Sequence, residues 1–176
     1  MPGPYKGRAA LVEAFGALDI VDGKIISSTY SDGKTVTGAE WERRNMAIVS
    51  DFPGVPRRLY VNRVVVEPLR VALAECIGLR DGYALRTIGC FAPRGKRSNP
   101  ASLSLHSYGI AVDLNADANG MITGCPAGDP RRAVWRATKG AIPVAWIDAF
   151  KRAGWTWGGD FRTAFDPMHF QYASGV

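Results

Sequence analysis

Histidine occurs twice in the 176 residues, and both copies stand in short blocks that also hold an aspartate. SLHSYGIAVDLN, residues 104–115, carries His106 and Asp113; DPMHF, residues 166–170, carries Asp166 and His169. Imidazole nitrogens and carboxylate oxygens are suitable donors for a catalytic zinc, which takes three protein ligands and leaves a fourth position open. His106, Asp113 and His169 form such a set. Asp166 is the carboxylate left over, and Pro167 behind it interrupts regular structure, so it can turn toward the site without being a ligand. The bland alternative makes Asp113 a solvated or turn-capping residue and His106 an ordinary loop histidine. The second block weighs against it.

The ligands need a particular backbone. His106 and Asp113 are seven residues apart, and strict strand alternation puts an odd offset on opposite faces of a sheet. A bend is therefore required between them, and Gly109, without a Cβ, is where the chain can turn or bulge.

Helical spacing of Leu11, Val12, Phe15 and Leu18 predicts a first helix over 8–18. KIISSTYSDGKTVT, residues 24–37, reads as a hairpin about Ser31, Asp32 and Gly33. Thr37 and Glu40 have capping-box spacing and open a helix through Trp41 and Met46 that ends near Asp51. Residues 62–78 form a further helix, with Pro68 in its first turn and Gly78 at its end, packed under the sheet. YALRTIGCF, residues 83–91, is a strand candidate by its β-branched and aromatic content. A loop over 92–102 leads to an apolar strand around 109–114, and the turn-formers of 115–131 predict a long surface loop. Pro143 starts a helix through Trp146, Ile147 and Phe150 that Gly154 ends. WTWGGDF and HFQY supply two short terminal strands. The expected architecture is α+β, a single domain over 1–176 with a small antiparallel sheet flanked by helices and the zinc site on the sheet.

Composition narrows the function classes. No run of about 18 apolar residues occurs, so a membrane-spanning helix is not expected. Glu13 and Asp19 break the apolar N-terminal stretch, and no signal peptide is read there. Cys76, Cys90 and Cys125 show no CxxC spacing and read as reduced thiols. With no third histidine to activate a thiolate, they receive no catalytic role. The net charge of +6 favours an anionic partner, whether nucleic acid, anionic lipid or an acidic envelope polymer. The clearest basic cluster, Arg94, Lys96 and Arg97, lacks interleaved aromatics for base stacking, so nucleic acid is not the expected partner.

SLHSYGIAVD resembles the SxHxxGxAxD motif of the M15 peptidases, the zinc D-alanyl-D-alanine carboxypeptidases, dipeptidases and L-alanyl-D-glutamate endopeptidases. WGGDF followed by DPMHF resembles that family's C-terminal motif, and the two occur in the family's order. The resemblance covers residues 83–172; the first 80 residues share only general helical character. It implies that His106, Asp113 and His169 hold Zn2+, that Asp166 is the catalytic acid/base, and that Ser104 binds substrate. It also implies an arginine facing the reacting carbonyl, for which Arg94 and Arg97 both qualify. Trp155, Trp157 and Phe161 could wall the cleft or sit in the core, and Trp157 is carried as a substrate-binding candidate. Asp160 is either a partner that orients a ligand histidine or a surface residue.

The expected function is hydrolysis of peptidoglycan stem peptides, as an L-alanyl-D-glutamate endopeptidase of phage-endolysin type. The expected enzyme is monomeric, made in the cytoplasm and acting on the wall after release. The alternatives are a D-alanyl-D-alanine carboxypeptidase or dipeptidase, a zinc-containing wall-binding module without turnover, and, from the charge alone, a nucleic-acid-binding domain.

Overall fold

The computed structural model describes residues 4–96 and 99–176. Its architecture is α+β, with five α-helices among the described residues: α1 (Gly7–Phe15), α2 (Gly38–Asn45), α3 (Val66–Gly78), α4 (Pro130–Arg136) and α5 (Val144–Arg152). The sheet that carries Asp113 and His169 has four short strands in the order Thr156–Trp157, His169–Gln171, Ala111–Leu114, Ile88–Gly89. Every neighbouring pair in it is antiparallel.

Register explains how the sheet separates its faces. Ala111 lies opposite Gln171, Val112 opposite Phe170, and Asp113 opposite His169. Because side chains alternate along a strand, Val112 and Phe170 share one face while Asp113, His169 and Gln171 share the other. The apolar face is covered by α5, whose Phe150 ring stacks on Phe170 with centroids 4.3 Å apart. Trp146 and Ile147 of α5 and Leu69, Ala72 and Leu73 of α3 continue this core. A slip of one residue would bury the aspartate and the histidine against α5.

Smaller ladders surround the sheet. Ala17–Val21, Lys24–Thr29 and Thr35–Thr37 form a meander that includes the expected hairpin. Met46–Val49 pairs with Leu59–Asn62, Gly95–Lys96 with Asn99–Leu103, and Tyr5–Lys6 runs parallel to Ala173–Ser174.

Several boundaries differ from the sequence reading, each for a visible reason. α1 ends at Phe15, and Leu18 belongs to a strand. The Thr37 cap is present, with its hydroxyl accepting from Glu40 N at 3.2 Å, but α2 stops at Asn45. From Met46 the apolar run finds a ladder partner instead. The third helix begins at Val66 after a 3-10 turn over Arg63–Val65, with Pro68 in its first turn. The strand expected over 83–91 shrinks to Ile88–Gly89 because Asn115 takes the place of a ladder partner. Its Oδ1 accepts from Arg86 N and Thr87 N, and its Nδ2 donates to Ala84 O. α4 was not expected at all. Asp129, whose Oδ1 accepts from Arg131 N at 2.9 Å, caps it, and Pro130 opens it. Among the described residues no helix is long and apolar enough to cross a membrane.

Candidate metal centre

The first half of the site is built by a turn. Ser104 caps a 3-10 helix over Leu105–Tyr108, its hydroxyl accepting from His106 N at 3.4 Å. Gly109 ends that turn in the left-handed region, at φ 67°, where a side chain would be strained. A Cβ there would also lie 2.7 Å from Met46 Cε and 3.0 Å from Asn62 N. Asn62 Nδ2 donates to Tyr108 O and Asn62 N to Gly109 O, both at 3.0 Å, which pins the reversal. This is the bend that the seven-residue offset demanded. It brings His106 back over the face that carries Asp113.

The second half depends on close backbone approach. Asp166 N donates to Gly158 O at 3.2 Å and His169 N to Asp166 O at 3.1 Å. A Cβ on Gly158 would meet Asp166 O at 2.4 Å and His169 Cβ at 3.1 Å. The WGGDF and DPMHF blocks are thus one packed unit, and Trp157 ties them from below, its indole N–H donating to Pro167 O at 2.9 Å.

Three donor atoms converge where the halves meet. His106 Nε2 lies 3.1 Å from Asp113 Oδ1 and 3.2 Å from His169 Nδ1, and His169 Nδ1 lies 2.9 Å from Asp113 Oδ1. Ligands about 2.0–2.1 Å from a tetrahedral zinc stand about 3.3 Å from one another, so the triangle has the size that the ion needs.

The outer nitrogens explain why these edges face inward. His106 Nδ1 donates to Cys90 O at 2.5 Å. His169 Nε2 donates to Gln171 Oε1 at 3.2 Å, and Gln171 Nε2 donates to Ala173 O at 3.1 Å, which sets the orientation of the amide. With both protons held outside, His106 Nε2 and His169 Nδ1 each turn a lone pair toward the other and toward a carboxylate oxygen. Such a cluster accepts a cation, either a proton or a metal. When the cluster takes up a proton in place of a metal, an inner N–H faces Asp113: burial pushes the Asp113 carboxyl up, but hydrogen bonds from His106 and His169 in that protonated form outweigh it and hold it well below the usual carboxylate range. Burial lowers the His169 pKa, and the hydrogen bond and charge of Asp113 more than reverse this, leaving it above the ordinary value.

The triad opens into a cavity of about 350 Å³ lined by Arg94, Ser104, Asp166, Phe161 and Arg162. Asp166 is half-buried, beside His169. Arg94 is the candidate arginine that reaches this wall; Arg97 lies outside the described residues. Trp155 and Trp157 are buried in the core, with Trp157 against Trp135 and Phe165, whereas Phe161 stands at the cavity. Asp160 pairs with Lys151 at 2.7 Å on the surface, and the groups that orient the histidines are Cys90 O and Gln171. Gln171 was within reach of sequence reasoning, since two residues after His169 in a strand means the same face. The Cys90 carbonyl carried no such signal.

Residues 97–172 match the family model described as D-alanyl-D-alanine carboxypeptidase, of the M15 peptidases. The matched stretch holds His106, Asp113, Asp166 and His169, and it bears out the M15 resemblance carried by the two motifs. No curated protein and no solved structure matches the chain.

Proposed function

We propose that this chain is a zinc-dependent peptidase that hydrolyses peptidoglycan stem peptides, acting as an L-alanyl-D-glutamate endopeptidase of phage-endolysin type. The observation that carries the reading is the convergence of His106 Nε2, Asp113 Oδ1 and His169 Nδ1 within 3.2 Å of one another, with Asp166 in the same cavity. A zinc held by these three would supply an acidified water and a polarised carbonyl at neutral pH.

The protein's own groups do the rest. Asp166 takes a proton from the attacking water and returns it to the leaving amine, a role worth about 10²–10⁴-fold in rate. Arg94, at the cavity wall, faces the charge that develops on the substrate carbonyl oxygen. Ser104, at the start of the ligand turn, offers the peptide a hydroxyl. The net charge of +6 favours approach to an anionic envelope. A structural zinc has four protein ligands, so a three-ligand set with a further carboxylate, Asp166, in the same cavity supports turnover over a purely binding role.

The description of the matched family favours a second reading, a D-alanyl-D-alanine carboxypeptidase. Mass spectrometry of fragments released from purified peptidoglycan separates the two. New D-glutamyl amino termini support the endopeptidase; loss of a single terminal D-alanine supports the carboxypeptidase. An unchanged muropeptide profile with zinc-loaded protein contradicts both.

A further inference from the structure

Beside the metal centre the cavity is bounded by a lip, residues 159–164, whose shape is imposed by an arginine from the unexpected helix α4. Arg132 Nη1 donates to Gly159 O at 2.8 Å, and Arg132 Nη2 to Phe161 O at 2.7 Å, Ala164 O at 3.1 Å and Cys125 O at 2.8 Å. Its guanidinium also lies 4.9 Å from the Phe165 ring centre. Among the described residues Arg132 forms no ion pair; its charge is spent on backbone carbonyls, three of them in the lip. A rigid planar fork with five donors fixes the directions of several carbonyls at once, which the rotatable ammonium of a flexible lysine does not.

What the lip presents is Arg162, exposed and lining the cavity, one residue after Phe161, whose ring stands 6.1 Å from that of His169. Arg94 and Lys96 line the same cavity. Among the described residues none of these three cations is in an ion pair. The two carboxylates of the cavity, Asp113 and Asp166, are assigned to the metal and the proton. The rim is therefore cationic, and among the described residues these three cations have no ion-pair partner.

We propose that Arg162 is a specificity residue that receives a substrate carboxylate next to the scissile bond, and that Arg132 is the positioning residue that holds the lip where Arg162 can do so. This rests on the peptidase reading above. A carboxylate in that place comes from one of two sources: the α-carboxylate of a D-glutamyl residue, or the terminal carboxylate of a D-alanyl-D-alanine end.

Two peptide pairs distinguish them. L-Ala-D-Glu-L-Lys is compared with its D-isoglutaminyl form, and L-Lys-D-Ala-D-Ala with its C-terminal amide, using zinc-loaded protein. The free acid of one pair has a KM at least about tenfold below that of the amide at similar kcat, the size expected of one charge-assisted contact. Arg162→Gln raises the KM of that acid to the amide value and leaves zinc content, kcat and the KM of the amide unchanged. Arg132→Met shifts KM in the same direction while zinc content stays at one per chain. Retention of the acid preference by Arg162→Gln overturns the inference, and retention by Arg132→Met overturns its positioning half. If Arg132→Met does not fold, Arg132→Lys is measured in its place, with the same outcomes. If the wild type cleaves neither pair, the peptidase reading fails. Calorimetric binding of the same four peptides to wild type and Arg162→Gln then decides the carboxylate assignment by the same comparison.

Discussion

Asp113 and His169 are direct partners across two antiparallel strands, and His169 Nδ1 lies 2.9 Å from Asp113 Oδ1. Two of the three donors of the candidate metal centre are therefore set by strand register, which the packing of Phe170 on Phe150 enforces from the opposite face. Only His106 depends on a turn. This division leads to different expectations for each part of the site.

Gln171 holds the His169 proton outside the cluster. Gln171→Ala should weaken zinc binding about 10–100-fold, the usual effect of removing a partner that orients a ligand. His169→Ala should lose more. Competition with a chromogenic chelator gives both affinities; an unchanged value for Gln171→Ala would remove the orienting role.

Gly158 is expected to be intolerant of even one methyl group. A Cβ there meets Asp166 O at 2.4 Å, so either the Asp166 turn or the Gly158 backbone must move. Gly158→Ala should cost about 1–3 kcal/mol of stability, as overpacking does, and reduce hydrolysis beyond what the stability loss explains. Gly120→Ala, where the nearest atom is 3.6 Å away, is the control and should have little effect on hydrolysis. Denaturant midpoints and turnover measured together test the pair.

Metal should stabilise the fold as well as enable turnover. A ligand that binds only the native state at 100 times its Kd adds about 2.7 kcal/mol. For a chain of this size that is a rise in Tm of roughly 5–10 °C. The shift should appear on adding zinc to chelator-stripped protein and vanish in His106→Ala. An equal shift in that variant would place the bound metal elsewhere.

The cysteines should be silent in the native state. Cys76, Cys90 and Cys125 are free and buried; burial pushes the Cys76 thiol up to about 12 and the Cys90 thiol well above its usual range. Alkylation at pH 8 should label none of them until denaturant is added. Rapid labelling of folded protein would contradict this burial.

The convergence of His106, Asp113 and His169 was legible because histidine is scarce and each copy sits beside a carboxylate. Gly109 was legible because the odd offset to Asp113 needed a bend. Helices whose apolar spacing and caps agree, such as α5 after Pro143, also read correctly. What did not read were features decided by long-range partners. Met46–Val49 continues a helical pattern locally but pairs with Leu59–Asn62, and Asn115 replaces strand bonds along 84–87 from about thirty residues away. The Asp129-Pro130 helix start was visible but was absorbed into a run of turn-formers. Arg132 on that helix looks like one more surface cation until the carbonyls of the lip are in view.

The central claim is that His106, Asp113 and His169 grip one zinc ion while Asp166 handles the proton. The most direct measurement is zinc-edge anomalous diffraction from wild-type and Asp166→Asn crystals, with peptidoglycan hydrolysis assayed on the same preparations. The account predicts one strong peak bonded to His106 Nε2, Asp113 and His169 Nδ1 in both proteins, and hydrolysis in the wild type alone. No zinc among those three side chains, or undiminished hydrolysis by Asp166→Asn, would contradict it.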